Sequence, residues 1–193
     1  PTYAAVAHYH GKLKGDRDQL VKRAEKFAKG EYASALLKGF TLTAEEREKV
    51  ANELSALTSL PVELIQRYDL RIHPSRFRKE LLRKENKVLG RFDARTAWPA
   101  ADKAGDMPSY DPSFSVAKGA FSTAMLDYLG NELGWMDDRP YEIIANVGSW
   151  DWGRKNSIVN LSSRLAVAMR DNPDLRVLIQ CGHADMATPA GGI

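Results

Sequence analysis

Cys181 is the sole cysteine, so no internal disulfide can close, and neither a cysteine-rich metal site nor a disulfide scaffold is available. No apolar run approaches the roughly 18 residues of a membrane span, and no charged-then-apolar leader precedes a small-residue cleavage site. Excess charge is scarce as well: 28 Lys plus Arg stand against 25 Asp plus Glu, and a net +3 is too little to imply nucleic acid as a partner. Repeats and low-complexity tracts are missing. What is present is ordinary globular material, 193 residues that are 44% hydrophobic, enough for one substantial core. Pro1 in place of Met, and a close in the turn-like residues Thr188 to Ile193, lead to the expectation that the chain continues at both ends.

Helical spacing dominates the first two thirds. Thr2 to His10 are apolar and aromatic and predict a buried helix, with Gly11 and Gly15 marking its exit. Leu20, Ala24, Phe27, Ala28, Tyr32, Ala35 and Leu36 recur at three and four, predicting an amphipathic helix that stops at Gly39. Thr43 and Glu46 form a capping box ahead of a helix that buries Val50, Leu54 and Leu57. Pro61 and Pro74 suit the starts of two more helices, the first with Leu64, Ile65 and Tyr68, the second with Phe77, Leu81 and Leu82 inward. Residues 90–112, with Pro99, Gly105, Pro108 and Pro112, read as a long irregular loop. A further helix from Ser113 should bury Val116, Ala120, Phe121, Ala124, Tyr128 and Leu129 and end at a left-handed Gly134.

Beyond Arg139-Pro140 the texture changes. Tyr141 to Val147 favours a strand, and Ser157 to Arg170 has helical spacing through Ile158, Leu161, Leu165, Ala168 and Met169. Asn172-Pro173-Asp174 makes a turn, and Leu175 to Cys181 reads as a buried parallel strand. Helix, turn and strand make half of a βαβ unit, so a helical block (1–136) precedes a slice of an α/β core (137–193).

In open α/β sheets, functional groups collect at the carboxyl ends of strands. Asp185 lies just beyond such an end, between Gly182 and Thr188-Pro189, where a carboxylate can orient the histidine of a nucleophilic triad. The plainer role is an Asx-turn or N-cap, which local sequence alone favours. No Gly-x-Ser-x-Gly elbow is present, and no histidine follows His183, so the nucleophile and base would lie outside these residues. His8 and His10 point to different helix faces and cannot share a metal; His73 sits in a turn; His183 either lines the site or is structural. Arg76, Arg78, Lys79, Arg83, Lys84 and Lys87 are interleaved with Glu80 and Glu85 and read as a solvated helix face. Trp98, Trp135, Trp150 and Trp152 read as core or rim packing.

Several segments together give the chain a wording that resembles the serine carboxypeptidase family, in particular its bacterial members. They are Pro1 to Gly11, Gly30 to Leu37, Arg76 to Arg83, Gly90 to Asp93, Tyr110 to Ser113, Pro140 to Glu142 and the Asp185 segment. The resemblance runs in order along nearly the whole chain. It implies a partial α/β-hydrolase fold, with a helical cap region followed by a slice of the core sheet. Residues up to about 136 would be the end of the core plus cap, and Asp185 would be the triad acid. The serine would lie before Pro1 and the histidine after Ile193. His183 departs from the plant and fungal relatives, which tend to carry an acidic residue there.

The expected activity of the intact protein is therefore peptide hydrolysis from the C-terminus through an acyl-enzyme, with the 193-residue chain inactive alone. An esterase or acyltransferase of the same fold is the alternative within that class, and a non-catalytic helical binding module is the alternative outside it. No cofactor or metal and no nucleic-acid or membrane partner is expected, on the cysteine and histidine placement, the small net charge and the lack of a long apolar run. The resemblance implies a peptide substrate and a secreted or periplasmic route. A core strand lacking neighbours predicts self-association or attachment to the rest of the polypeptide.

Overall fold

The computed structural model describes residues 1–145 and 160–190. They fall into two units, Pro1–Ala120 with Cys181–Ile193, and Phe121–Gln180. Helices dominate, with one small antiparallel sheet, an arrangement compatible with a piece of an α/β protein.

In the first unit, α1 (Thr2–Tyr9) is the central element, and Ala4, Ala5, Val6 and Ala7 along it are all buried. Small side chains let neighbouring helices approach closely, and α1 packs on both α2 (Arg17–Phe27) and α4 (Ala44–Thr58). Gly11 and Gly15 end this segment with positive φ, a conformation that costs glycine nothing. The helix expected from Leu20 onward exists, but α2 passes into α3 (Ala33–Lys38) through a π-turn at Ala28–Tyr32. One widened turn shifts the apolar face by a residue and keeps Ala24, Phe27 and Ala35 on the core. Gly39 ends it with φ +53.

The capping box at α4 is formed in both directions: Glu46 N–H donates to Thr43 Oγ1 at 3.1 Å, and Thr43 N–H donates to Glu46 Oε2 at 3.0 Å. Val50 and Leu57 are buried on α4, and Ile65 on α5 (Val62–Arg67). Pro74 opens α6 (Pro74–Glu80), where His73 Nδ1 accepts from Ser75 N–H. Phe77, 0% exposed, stacks on Tyr3 with ring centroids 4.2 Å apart, while Tyr3 Oη donates to Ile72 O at 2.8 Å. This stack ties α1 to α6.

Two expectations fail here. The basic cluster is not a solvated face: Arg76, Arg78 and Lys79 are buried, Lys79 at 2% exposure, while Lys84 and Lys87 are exposed as anticipated. The cause is the end of β1 (Lys87–Leu89) and the loop opposite. Arg78 Nε donates to Leu89 O at 2.9 Å and Lys79 Nζ donates to Asp102 O. Arg76 pairs with Asp106 at 2.9 Å and lies over the Tyr68 ring. Arg83 grips Glu80 and donates to Lys103 O and Gly105 O, both at 3.0 Å. Residues 102–110 carry backbone carbonyls that need donors, and the long stems of these cations cover apolar surface while their heads supply them. The second failure is within the loop itself, which contains β2 (Ala97–Pro99) paired with β1 (Lys87–Leu89), Val88 opposite Trp98.

The helix expected from residue 113 is present as α7 (Pro112–Asp127), which begins in the first unit and runs into the second, continuing through a π-turn at Tyr128–Glu132 to Gly134 with φ +62. Its expected buried face is exposed, with Phe121 at 66%. The later helix, α8 (Ser162–Asp171), matches its spacing, but Leu165 and Met169 are not buried. Leu175 to Cys181 forms no strand, and Leu178 is 80% exposed. A strand exists only by exchanging backbone hydrogen bonds with a neighbour, and none of the described residues offers one. Tyr141 to Ala145 likewise form no strand; Asn146, Val147, Trp150, Trp152 and Ile158 lie outside the described residues.

Candidate functional site

Asp185 sits on a turn in the first unit, and the reason it sits there is local. Gly90 ends β1, where an added Cβ would meet Asp93 O at 2.3 Å and Ser113 Cβ at 2.6 Å, so only glycine lets the following segment approach α7. Ser113 Oγ accepts from Phe92 N–H at 3.0 Å and donates to Asp111 at 2.7 Å, and Asp111 also accepts from Arg91 N–H at 2.8 Å. Residues 91–94, held in this way, bracket the Asp185 turn. Met186 N–H donates to Arg91 O and Ala94 N–H donates to Ala184 O, each at 2.9 Å. Met186 is buried in the core beneath. His10 Nε2 lies 2.7 Å from Ala94 O and ties the same segment to the end of α1.

The carboxylate of Asp185 closes its own turn. Oδ1 accepts from Ala187 N–H at 2.7 Å and Thr188 N–H at 2.9 Å; Oδ2 accepts from Thr188 Oγ1 at 2.7 Å. This is the Asx-turn geometry that local sequence favoured. Burial pushes the carboxyl up, but the Thr188 amide and hydroxyl and the Ala187 amide outweigh it, with Arg91 adding positive charge, and hold it below its ordinary value. A carboxylate has about four acceptor directions. Three are engaged, which leaves Oδ2 able to take one further donor.

Asp185 lines a cleft of about 450 Å³ together with Tyr9, Arg17, Asp93, Arg95 and His183. Arg95 and Asp93 form a bidentate pair at 2.8 to 3.1 Å, and the Arg95 guanidinium holds the Asp93 carboxyl below its usual range. His183 is exposed and has no side-chain hydrogen bond among the described residues. Tyr9, Asp93 and Arg95 were not singled out by sequence reading as site residues. Of these only Tyr9 and Asp93 fell within segments that carry the resemblance, Pro1 to Gly11 and Gly90 to Asp93; nothing pointed to Arg95.

The other histidines stand apart: His8 Nε2 lies 2.9 Å from Gly15 O, and His73 caps α6. Among the described residues no serine hydroxyl bonds to a histidine, and no three His, Cys, Asp or Glu side chains gather as a metal site. No described helix is long and apolar enough to cross a membrane. Trp98 and Trp135 are about half-exposed. Chemically, the cleft can bind and orient a hydrogen-bond donor at Asp185. Searches against protein-family models, curated proteins and solved structures found no match to this chain.

Proposed function

We propose that the chain is the cap and acid-bearing portion of a serine-type carboxypeptidase with a partial α/β-hydrolase fold. In this reading Asp185 orients the base histidine, and the nucleophilic serine and the histidine come from outside these residues. The observation that carries it is the state of Asp185: an ionised carboxylate, fixed by three hydrogen bonds, with an acceptor direction left on Oδ2, in a residue that lines a cleft. A triad acid has to be rigid, charged and short of one donor, so that an imidazole N–H completes it and the imidazolium is stabilised as it forms. The resemblance of its segments supports the same assignment.

The test is the intact gene product assayed on an N-blocked dipeptide, and on the matching ester to separate a peptidase from an esterase or acyltransferase. Asp185→Asn should lower kcat on the order of 10⁴-fold while leaving fold and substrate binding intact, because the amide would favour the wrong histidine tautomer. Full activity in that variant would remove Asp185 from the mechanism.

A second reading, a non-catalytic helical binding module, is favoured by one observation: the three hydrogen bonds of Asp185 already give it a complete turn-forming role. An intact gene product that hydrolyses neither peptide nor ester would select this reading.

A further inference from the structure

Asp111 has a plain role and a second one. It precedes Pro112, the first residue of α7, and its Oδ1 accepts from Ser113 N–H at 3.1 Å, as a helix cap does. The same oxygen takes two further donors, Ser113 Oγ at 2.7 Å and the backbone N–H of Arg91 at 2.8 Å. Arg91 lies 20 residues away, and capping α7 does not require it. Gly90 makes the meeting possible, since a Cβ there would strike Ser113 Cβ at 2.6 Å. The Asp111 side chain is 16% exposed, with Arg78 Nη2 standing 3.8 Å from Oδ1, so the carboxylate is charged in a mostly dry setting and its hydrogen bonds are strong ones.

Arg91 is held on both sides. Its N–H donates to Asp111, and its C=O accepts from Met186 N–H at 2.9 Å. Met186 directly follows Asp185, whose Oδ1 in turn accepts from Ala187 N–H and Thr188 N–H. Leu175 to Cys181, which leads into the turn, forms no strand, so no sheet steadies Asp185 from that side. The Met186 side chain is buried, but an unbranched thioether with three rotatable bonds fixes depth better than orientation. We infer that Asp111 is a positioning residue for Asp185, acting through the Arg91 backbone, in addition to capping α7. Its bearing on catalysis rests on the reading of Asp185 as the acid that orients a base, where small misplacements are costly in rate. Its hold on the turn does not.

Hydrogen exchange in the 193-residue chain and kinetics of the intact gene product test the two parts separately. Asp111→Ala should speed amide exchange at Met186, Ala187 and Thr188 about tenfold while Ile65 and Phe77 keep their protection. Asp111→Asn, which keeps an acceptor oxygen on the same stem, should bring those amides back to within about threefold of the unsubstituted chain. Unchanged exchange at Met186, Ala187 and Thr188 in Asp111→Ala would overturn the inference. So would an equal loss at Ile65 and Phe77, which would make Asp111 a prop of the whole unit, or a loss in Asp111→Asn as large as in Asp111→Ala, which would assign the effect to the charge facing Arg78. In the intact gene product, Asp111→Ala should lower kcat on an N-blocked dipeptide about tenfold with KM unchanged, and Asp111→Asn should recover most of it. A raised KM with kcat unaltered would overturn the catalytic part. If the unsubstituted product hydrolyses neither peptide nor ester, the reading of Asp185 fails and the catalytic part falls with it, while the exchange rates still decide whether Asp111 holds the turn.

Discussion

The two units of this chain are built from similar residues and behave oppositely toward water. In Pro1–Ala120 with Cys181–Ile193, the apolar positions chosen by helical spacing converge on one core containing Phe77, Ile65, Val6 and Leu89. In Phe121–Gln180 the spacing is as regular, yet Phe121, Leu165, Met169 and Leu178 remain open to solvent, and none of its described apolar residues is buried. Periodicity therefore specifies which face of a helix is apolar without specifying that anything covers it. In the first unit α1, α2, α4, α5 and α6 cover one another. The described residues of the second unit give the last part of α7 with its π-turn, one short helix and an extended apolar segment, too few surfaces to close a core.

Amide hydrogen exchange should separate the units most sharply. Amides of Ile65 and Phe77 are expected to exchange on the order of 10³-fold more slowly than those of Leu165 and Met169, because opening them requires unfolding the core rather than fraying a helix. Equal protection in both units would mean that the second unit's apolar face is covered in solution.

Paired truncations come next. Phe77→Ala should cost about 3–5 kcal/mol in denaturant unfolding, from lost burial, the cavity and the Tyr3 stack, whereas Phe121→Ala should stay within about 0.5 kcal/mol. A large loss at Phe121 would break the contrast.

The same comparison applies to arginines. Arg78→Ala should cost roughly 2–3 kcal/mol, since it strands Leu89 O in a buried setting and Tyr110 O in a partly buried one. Arg170, exposed and paired only with its neighbour Asp171, should cost within about 0.5 kcal/mol on the same change. Similar losses at both positions would show that Arg78 does not clamp the loop.

The smallest expected effect is pH-dependent. The folded state holds the Asp185 carboxyl below the 3.8 of an unperturbed aspartate, so its contribution to stability is complete above that value and is lost as pH falls through the lower, folded one. Asp185→Ala should therefore cost about 1 kcal/mol at pH 7, as loss of a cap does, with the cost shrinking in acid. An unchanged cost from pH 7 down to pH 2 would show that charge plays no part in holding the turn.

Most of the first unit could be read from the chain. Thr43 with Glu46 announced α4, Pro74 announced α6, and the alternation of three and four through Ala24, Phe27 and Ala35 located α2 and α3. The π-turn between them was invisible because a widened turn leaves nearly the same pattern. β1 and β2 escaped because three residues are too few for period-two alternation to register, and Pro99 lies on the second of them. Arg76, Arg78 and Lys79 were misplaced for a different reason: charge predicts solvation unless a segment distant in sequence brings carbonyls to meet it, and residues 102–110 do. The turn at Asp185 was legible from its glycine and threonine-proline surroundings, but not as the end of a strand, since Leu175 to Cys181 forms none. Tyr9 and Arg95 were not legible, since nothing local connects them to it.

Local chemistry, then, determined by itself where helices start and where glycine or a cap ends them, because each depends on residues within a few positions of one another. Tertiary structure alone decided which apolar faces are buried, whether Leu175 to Cys181 is a strand, and which groups surround Asp185. Burial, strand pairing and clefts are made by segments far apart in sequence, and no local pattern records whether the other segment is there.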